Sequence, residues 1–359
     1  MKILQIIQKP QLRGAEIFAC QLSLELIKYG AAADVAYLFK NTSFDLDFDL
    51  NFIDAGANQV LRLMDVRAYK RLDDIIRNGA YDVVQANAGD TLEYAAISKL
   101  LFKWKPLLIY RNANKMSWFL KNRLSLAFNR LLLNQCDYFI SVSENCRKDL
   151  INIYSAAGTR SNAIPIGTYD HSGIQPIQRG TAESIIISVS SFVPEKNHEF
   201  IIDIFKAYYE KYKEGYLWLV GDGPFKERLK YKVSAYGLDK RVVFWGVQKS
   251  VISLIKAADV MLMPSKVEGL PGVILEALSC GVTVIASDVG GIKEVIDSGK
   301  NGYVIGSFDI PEYVDTLASV LKDIVLKDRL GKAGIDTVKK FYLMPAIARR
   351  FLETYEKTL

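Results

Sequence analysis

The residues best suited to bind a ligand lie in the loop after an apolar strand that ends at Met263 and in the helical pattern that follows it, from Pro271 to Gly281. The Gly/Pro-rich loop between them contains Glu268, and Glu276 follows within the helix. Backbone N–H groups and the positive end of the helix dipole point toward the strand end, which makes the loop a seat for a diphosphate. The two carboxylates could then accept hydrogen bonds from vicinal hydroxyls on either side of it. The alternative is structural: Glu268 caps the helix, and Glu276 lies on a solvated face.

Three further loops follow predicted strands and carry small or charged residues. Lys196 lies where its ammonium could reach the same phosphates, although a lysine in such a loop is more often only a surface residue. The turn Gly221-Asp222-Gly223-Pro224 has small residues that let a flat base or a ribose approach the backbone. A glycine pair, Gly290-Gly291, opens another helix.

Neither a metal site nor a histidine base is predicted. The four cysteines are scattered without C-x-x-C spacing, in contexts typical of buried thiols. His171 and His198 are the only histidines, and we interpret both as surface groups. The segment Asp45-Leu46-Asp47-Phe48-Asp49 contains the metal-binding pattern D-x-D twice, but its polar/apolar alternation favours an edge strand. We therefore expect no metal and no cofactor.

Strands that alternate with helices must position these loops, and both halves of the chain show that alternation. It predicts parallel β-α-β units, whose ligands lie beyond the carboxyl ends of the strands. The predicted strands are residues 2–7, 33–39, 81–85, 107–110 and 138–142 in the first set, and 184–189, 217–220, 242–244, 260–263 and 282–286 in the second.

A polar stretch with the Pro, Gly and Ser content of a linker, residues 168–183, separates the two sets. We predict an α/β protein of two Rossmann-like domains, residues 1–168 and 169–344, which face each other across a cleft. A final helix, residues 345–359, has no following strand and is expected to cross back onto the first domain. A single helix is predicted over residues 311–326.

Length and composition agree with this organisation. The chain has 359 residues, of which 50% are apolar and 24% are charged. A single core normally stops growing near about 250–300 residues, so two domains are expected. No run reaches the ~18 apolar residues of a membrane span, and the N-terminus lacks the features of a secretory signal. We expect a cytoplasmic protein.

The net charge of +6 is unevenly distributed. Residues 94–136 contain eight bases and no carboxylate. Within them, residues 111–130 place aromatic and apolar side chains among the bases, as in segments that bind an anionic membrane surface. A helix packed on the core with a solvated basic edge is equally typical of the pattern. No recognition motif accompanies the charge, so nucleic acid is not an expected partner.

The C-terminal half resembles the family 4 glycosyltransferases, which are retaining sugar-nucleotide enzymes of the GT-B fold. The resemblance is carried by Pro194-Glu195-Lys196-Asn197, Gly221 to Pro224, Pro264 to Gly269, Glu276 to Gly281, and Gly290-Gly291. The N-terminal half resembles the family more weakly, through Arg13-Gly14-Ala15-Glu16, Ser141 to Glu144, and Ile164 to Gly167. Together these motifs cover nearly the whole chain.

The resemblance implies roles for individual residues. Lys196 would neutralise the donor diphosphate, Glu276 would bind the nucleotide ribose, and Glu268 would contact hydroxyls of the donor sugar. Lys196 and Glu268 are therefore the expected catalytic residues. The expected donor-binding set also includes Gly14, Ser191, Gly221, Asp222, Gly223, Gly269, Leu270, Pro271, Gly272, Val273 and Glu276. No protein nucleophile is required in the usual proposal, where the acceptor attacks from the leaving-group face.

Three positions depart from the family pattern. Ser191 stands where an arginine is usual, five residues before the lysine, and Arg13 replaces the first glycine of the usual G-G-A-E. The histidine common in the N-terminal domain has no counterpart, and Asn87 occupies one of the candidate loops. Arg13 and Arg111 are the candidates to restore the missing charge. With Asn87 they form the expected acceptor-binding or charge-compensating set.

The expected function is metal-independent transfer of a sugar from a nucleotide donor to a lipid-linked or glycan acceptor. The expected setting is bacterial cell-surface polysaccharide synthesis, at the inner membrane face. Two alternatives remain open. A sugar-nucleotide epimerase on the same fold would need acid/base residues in the cleft and no acceptor. A catalytically silent GT-B scaffold would account for the missing arginine and histidine.

Overall fold

The computed structural model describes residues 1–41, 46–120 and 122–359, and it divides into two compact units. Unit 1 consists of Met1–Gly167 together with Met344–Leu359, and unit 2 consists of Thr168–Leu343. Each division lies one residue before the position expected from the sequence. Both units are built around a parallel sheet with helices, which confirms the predicted α/β class.

Seven parallel strands form the sheet of unit 1, in the order β3-β2-β1-β4-β5-β6-β7. Both faces of a parallel sheet are covered by helices, so its central strands are nearly continuous apolar runs. Ile3, Leu4 and Ile6 of the first strand are accordingly fully buried. The strands are β1 (Lys2–Ile7), β2 (Ala32–Tyr37), β3 (Asn51–Asp54), β4 (Val83–Ala86), β5 (Leu107–Asn112), β6 (Tyr138–Ser141) and β7 (Ser161–Ala163).

The helices of unit 1 begin at polar caps in several cases. Asp65 accepts a hydrogen bond from the backbone N–H of Ala68 at 3.2 Å, and Asn122 accepts one from that of Ser125 at 2.8 Å. Such side chains satisfy N–H groups that have no partner within the helix. The helices are α1 (Gly14–Lys28), α2 (Val66–Gly79), α3 (Gly89–Phe102), α4 (Arg123–Leu133) and α5 (Glu144–Ile153).

Six parallel strands form the sheet of unit 2, in the order β10-β9-β8-β11-β12-β13. The middle strands β9, β8, β11 and β12 are neighbours, so the loops that follow them leave the sheet side by side. The strands are β8 (Ile185–Val189), β9 (Tyr216–Val220), β10 (Val242–Gly246), β11 (Val260–Met263), β12 (Thr283–Ser287) and β13 (Tyr303–Ile305).

The helices of unit 2 differ from the prediction near the C-terminal end of the unit, where helix also continues to Phe341, beyond the predicted end at residue 326. The single helix expected over residues 311–326 is wrong, because Asp323 adopts an extended conformation and caps a new helix by accepting from the N–H of Leu326 at 2.9 Å. The apolar periodicity continues through this break and conceals it. The helices are α6 (His198–Tyr212), α7 (Lys226–Ala235), α8 (Ile252–Ala257), α9 (Gly272–Ser279), α10 (Ile292–Val295), α11 (Ile310–Lys322) and α12 (Ile324–Phe341).

The last helix, α13 (Met344–Thr358), belongs to unit 1, as expected for the final helical stretch. Phe351 packs against Phe18 of α1, with ring centroids 5.7 Å apart. The Tyr355 hydroxyl donates to Oε1 of Gln85 in β4 at 2.6 Å. Among the helices of the described ranges, none is both long and apolar enough to span a bilayer.

The D-x-D segment does not form the expected edge strand over its described part. Asp45 lies outside the described residues, and the strand at this edge of the sheet, β3, begins only at Asn51. Leu46 is buried while Asp47 is exposed, so the alternation of faces is correct even though the chain is not paired as a strand. Burial of alternate side chains does not itself require a hydrogen-bonded neighbour.

Candidate active site

The candidate site of unit 2 lies where loops leave four neighbouring strands. Lys196 follows β8, and Glu268 follows β11, its neighbour in the sheet. The turn that begins at Gly221 follows β9, and the pair Gly290-Gly291 follows β12. Residues that are distant in sequence therefore meet because parallel strands end at a common edge.

Lys196 is fixed by bonds between two of these loops. Asn197, which has a left-handed backbone (φ 58°), donates from Nδ2 to the carbonyl of Pro264 at 3.1 Å. The backbone N–H of Lys266 donates to the carbonyl of Glu195 at 2.8 Å. The loop after β8 is thus attached to the loop after β11 on both sides of Lys196.

Lys196 and Glu268 form an ion pair in which Nζ donates to both carboxylate oxygens, at 2.6 and 2.8 Å. The Glu268 side chain is 6% exposed and that of Lys196 is 24% exposed. A carboxylate so deeply buried is costly unless it is paired. The alternative in which Glu268 caps the following helix is wrong, since Pro271 holds that position and α9 has no side-chain cap.

Gly290 allows the backbone of the Glu268 loop to approach closely. A Cβ at Gly290 would lie 2.1 Å from the carbonyl oxygen of Glu268, and its φ of +60° also disfavours other residues. The next residue, Gly291, donates its N–H to the carbonyl of Gly269 at 2.6 Å. The glycine pair therefore supports the loop that carries Glu268.

The first turn of α9 presents backbone amides without a capping side chain. Gly272 and Val273 are half-buried there, and Leu270 is buried just before them. Glu276 lies one turn further along, half-buried, and its carboxylate has no hydrogen-bond or ion-pair partner among the described residues. Burial raises the pKa of Glu276 to about 7. This is not the environment of a solvated surface glutamate.

The glycines of the turn after β9 have a structural reason within unit 2. Gly221 has a φ of +135°, and a Cβ there would lie 2.1 Å from the carbonyl oxygen of Ser190. A Cβ at Gly223 would lie 2.6 Å from the carbonyl oxygen of Phe192. Close packing of two loops therefore requires small residues, in addition to any approach of a base or a ribose.

The polar residues of these two loops are Asp222 and Ser191. Asp222 is exposed and pairs with Lys226 at 2.6 Å, and this bond lowers the pKa of the Asp222 carboxyl. Ser191 is half-buried in the loop after β8. It supplies a hydroxyl, and not a charge, at this position.

His198 is a core residue, which corrects its interpretation as a surface group. It is 3% exposed, packs edge-on against Phe192 with centroids 4.7 Å apart, and shares a 3.2 Å hydrogen bond between Nε2 and the Ser190 hydroxyl. Burial, with a smaller effect of Lys196, lowers the pKa of His198 to about 3. The ring is therefore neutral at physiological pH. His171 is only half-buried.

The first loop of unit 1 leaves the start of α1 open. Arg13 and Gly14 are exposed, and no side chain caps the helix. A Cβ built on Gly14 would meet no atom within 4 Å. Packing within unit 1 therefore does not explain the glycine at this position.

Asn87 lies in a buried polar network rather than on a surface. Its Nδ2 donates to Oε1 of Gln5 at 2.9 Å, and its Oδ1 accepts from Nε2 of Gln85 at 3.0 Å. Both Oδ1 and Nδ2 of Asn87 thus form hydrogen bonds inside unit 1, so the side chain has few hydrogen-bonding positions left for an acceptor substrate. The sequence reasoning missed this network, although glutamines within the apolar strands β1 and β4 were a usable signal.

Arg111 is 2% exposed, so it does not belong to the exposed part of the basic stretch 111–130. It is the penultimate residue of β5, and its guanidinium lies over the Phe18 ring, 4.1 Å from the centroid. The strand carries this side chain into the interior because it continues two residues beyond the predicted end at residue 110.

The positions of the side chains that could bind a metal ion are also relevant to the site. Within residues 1–41, 46–120 and 122–359, no three His, Cys, Asp or Glu side chains are grouped so that they could hold a metal ion. None of the four cysteines forms a disulfide.

Two family models match the chain. The model for glycosyltransferase family 4 matches residues 12–169, and the model for glycosyl transferases group 1 matches residues 174–337.

Curated relatives match over part of their length. An N-acetyl-alpha-D-glucosaminyl L-malate synthase of Bacillus anthracis is 32% identical, over 50% of this chain and 46% of the relative. A sulfoquinovosyl transferase of Arabidopsis thaliana is 26% identical, over 77% of this chain and 57% of the relative. The chain spans about half the length of the curated relatives it matches.

A solved structure of HepE from Anabaena, in complex with UDP-glucose, is similar over 99% of this chain and 100% of that one. The TM-score is 0.86 and the sequence identity is 20%. Likeness at this identity concerns the fold. It confirms the GT-B architecture expected from the resemblance.

Proposed function

Because the chain belongs to the family 4 glycosyltransferases, we propose that it transfers a sugar from a nucleotide-sugar donor to a lipid-linked or glycan acceptor. The observation that carries the proposal is the Lys196–Glu268 pair, held by two joined loops just before the open start of α9. A fixed ammonium and a helix N-terminus suit a diphosphate, and a buried carboxylate suits sugar hydroxyls.

The proposed reaction places most of the chemical demand on the leaving group. The acceptor hydroxyl oxygen bonds to the anomeric carbon, the bond from that carbon to the diphosphate oxygen breaks, and the hydroxyl proton leaves with the diphosphate. Negative charge grows on the diphosphate as the bond breaks. Lys196 and the first amides of α9 stabilise that charge, and preorganised electrostatic stabilisation of this kind is usually the largest catalytic contribution. The attack occurs from the leaving-group face, with retention, and no metal ion or cofactor takes part.

The two glutamates divide donor recognition between them. Glu268 orients Lys196 and accepts hydrogen bonds from the donor sugar. Glu276 accepts hydrogen bonds from both hydroxyls of the nucleotide ribose. A carboxylate without another partner suits this role, because each of its two oxygens can accept one hydrogen bond. The ligand then supplies the hydrogen bonds that offset the burial of Glu276.

We further propose that the acceptor is met at an anionic membrane, in bacterial cell-surface polysaccharide synthesis. Helix α4 packs Leu132 and Leu133 into unit 1 and exposes its opposite side. Leu124 is 82% exposed and Leu131 is 48% exposed. We use the name aromatic-basic surface for the half-buried Lys115 together with the exposed residues Trp118, Phe119, Arg123, Leu124, Arg130 and Leu131.

Exposed aromatic residues beside bases are typical of peripheral membrane contact. Trp118 and Phe119 are 57% and 56% exposed, which is unusual for such large apolar groups. Residues 94–136 contain no carboxylate, so the segment itself supplies only positive charge. Two carboxylates from outside it lie against it: Asp137 pairs with Lys99, and Oδ2 of Asp149 accepts from the N–H of Ser117 at 3.1 Å. Each base near an anionic leaflet contributes about 1 kcal/mol to binding.

A donor panel tests the proposed transfer. The purified chain is mixed with UDP-, GDP- and ADP-sugars, its melting temperature is recorded, and the donor is then followed by NMR with and without a membrane extract as acceptor source. One donor is expected to stabilise the chain and to give an acceptor-linked sugar with the anomeric configuration of the donor. A donor epimerised without acceptor, or bound without turnover, would contradict the proposal.

A further inference from the structure

Arg111 is a buried cation with unused hydrogen-bond donors. The guanidinium has five N–H donors, and a buried donor left without an acceptor loses its hydrogen bonds to water without replacement. Neither Nε nor Nη1 of Arg111 has an acceptor among the described residues. The Phe18 ring covers part of the cation, but an aromatic face supplies no oxygen lone pair.

The groups around Arg111 do not neutralise it by direct contact. Glu16, in the first turn of α1, is the carboxylate that acts on it electrostatically. No ion pair joins Arg111 to a carboxylate in the described part of the chain. The Glu16 carboxylate instead accepts from Nε2 of Gln11 at 3.1 Å. Burial lowers the pKa of Arg111 only to about 10, so the cation persists at neutral pH.

The location of Arg111 is where ligands of parallel sheets bind. It lies near the carboxyl end of β5, beside α1, whose 15 residues begin without a side-chain cap. The unsatisfied amides of such a helix start carry partial positive charge. The guanidinium lies over Phe18, in the second turn of α1, so a buried cation lies one turn from an uncapped helix start within unit 1, and both favour an anion.

We propose that Arg111 binds a carboxylate or phosphate group of the acceptor substrate, beside the first turn of α1. The oxygens of that group provide the acceptors that Nε and Nη1 lack, and its charge compensates the buried guanidinium. An uncharged hydroxyl could fill the same hydrogen bonds but would leave the cation uncompensated. This inference rests on the proposed transferase function, because it names the chemical class of the acceptor.

The donor diphosphate is the other source of a similar anion, so the test has two arms. In the first, the affinity of the full chain for inorganic phosphate and for malonate is measured by thermal shift at constant ionic strength. Wild type is expected to bind at least one of them saturably, Arg111→Gln to lose at least about tenfold in affinity, and Glu16→Gln to gain, because a nearby negative charge is removed. In the second arm, UDP affinity is expected to be the same in Arg111→Gln and wild type.

Arg147→Gln is the matched control, since Arg147 is a partly buried arginine of unit 1 whose nitrogens donate to Ser161, Gly158 and Glu144. It should leave phosphate and malonate binding unchanged. Loss of UDP affinity in Arg111→Gln would assign the guanidinium to the donor and overturn the proposal, as would anion binding that is indifferent to this substitution.

If Arg111→Gln does not fold, an NMR measurement on the wild-type protein tests the proposal instead. A buried arginine Nε–H exchanges slowly and gives a separate NMR signal, which must shift with phosphate or malonate. A signal indifferent to both anions would overturn the proposal. Neither arm requires turnover, so a chain that binds the anion at Arg111 but transfers no sugar would contradict only the proposed reaction.

Discussion

Glu268 holds the ammonium of Lys196 through both of its carboxylate oxygens, so the residue proposed to meet the donor sugar also orients the residue proposed to meet the donor diphosphate. Neither side chain has to search for its position when the donor arrives. Such preorganisation reduces the entropy lost on binding. The pair also means that a change in one residue alters the other.

Lys196→Ala is expected to weaken nucleotide-sugar binding by at least about tenfold, because a charge-assisted hydrogen bond contributes about 1.5–3 kcal/mol. The fold should persist, but the free energy of unfolding should fall by about 1–3 kcal/mol, since Glu268 is left buried without its partner. Calorimetric titration and urea unfolding measure the two effects. Lys232→Ala is the control, because Lys232 pairs with Asp203 at 2.7 Å elsewhere in unit 2. It should cost stability without changing donor affinity, and unchanged donor affinity in Lys196→Ala would remove Lys196 from the site.

Glu276 should make stability and donor binding depend on pH. Its folded-state pKa of about 7 lies above the usual value of 4.5, so the stabilising contribution of the neutral acid is present below about pH 4.5 and is lost as the pH rises through 7. Glu276→Gln should therefore be more stable than wild type near pH 8.5, by up to about 3 kcal/mol, and the difference should shrink near pH 5.

Ionisation of Glu276 should raise the affinity for the donor, although it lowers the stability of the fold. Only the ionised Glu276 has two carboxylate oxygens free to accept hydrogen bonds from both ribose hydroxyls. Wild type should therefore bind a nucleotide-sugar more tightly near pH 8.5 than near pH 5.5. A nucleotide-sugar is the suitable probe because its diphosphate does not titrate in this range. Affinity measured across pH should lose this slope in Glu276→Gln. An identical slope in wild type and variant would disprove the ribose assignment.

Gly290→Ala is expected to reduce both stability and donor affinity, because the new Cβ would overlap the backbone of Glu268 and displace its carboxylate. Gly299→Ala separates strain from displacement, since Gly299 also has a positive φ (+80°) but a Cβ there meets nothing within 4 Å. That control should lose about 1 kcal/mol of stability and keep its donor affinity. Equal donor affinities in the two variants would show that the Gly290 contact does not position Glu268.

Transfer should survive an excess of EDTA, because Lys196 and the α9 amides are proposed to carry the diphosphate charge. The assay is sugar transfer or donor hydrolysis by chelator-treated protein. Activity lost with EDTA and restored by Mg²⁺ or Mn²⁺ would instead favour the D-x-D segment, residues 45–49, as a metal site.

The aromatic-basic surface should bind anionic vesicles and release them as salt rises, since the Debye length falls from about 10 Å at 0.1 M to about 3 Å at 1 M. Trp118→Ser combined with Phe119→Ser should reduce sedimentation with such vesicles, and neutral vesicles should bind poorly. Val325→Ser is the control, because Val325 is an exposed apolar residue (74%) of unit 2. Sedimentation unaffected by the double variant would leave α4 as a packed helix with a solvated edge.

The sequence predicted the α/β class and the central strands of both sheets because strand and helix periodicities are local properties. It did not predict β3, β7 and β13, which are short strands at the sheet edges. Apolar runs such as β1 and β11 are bounded by Gly, Pro or polar residues, and this determines their length. The break at Asp323 was not predictable in the same way, because the residues on both sides continue a helical pattern and only the conformation of Asp323 reveals the cap.

The candidate site was predictable in its residue types but not in its contacts. The motifs indicate Lys196 and Glu268, yet only the order of strands in the sheet makes the two loops neighbours. His198 was misinterpreted because a polar residue beside a loop is usually solvated. Its burial depends on Phe192, which packs edge-on against the ring, and on Ser190, whose hydroxyl shares a hydrogen bond with Nε2.

The placement of α13 affects the order in which the molecule can be completed during synthesis. Unit 2 is one continuous segment, whereas unit 1 needs residues 344–359, which are synthesised only after unit 2. Until then Phe18 and Gln85 lack the partners that Phe351 and Tyr355 provide. Unit 2 can therefore finish folding on the nascent chain before unit 1 is complete, and deletion of residues 344–359 should destabilise unit 1 more than unit 2.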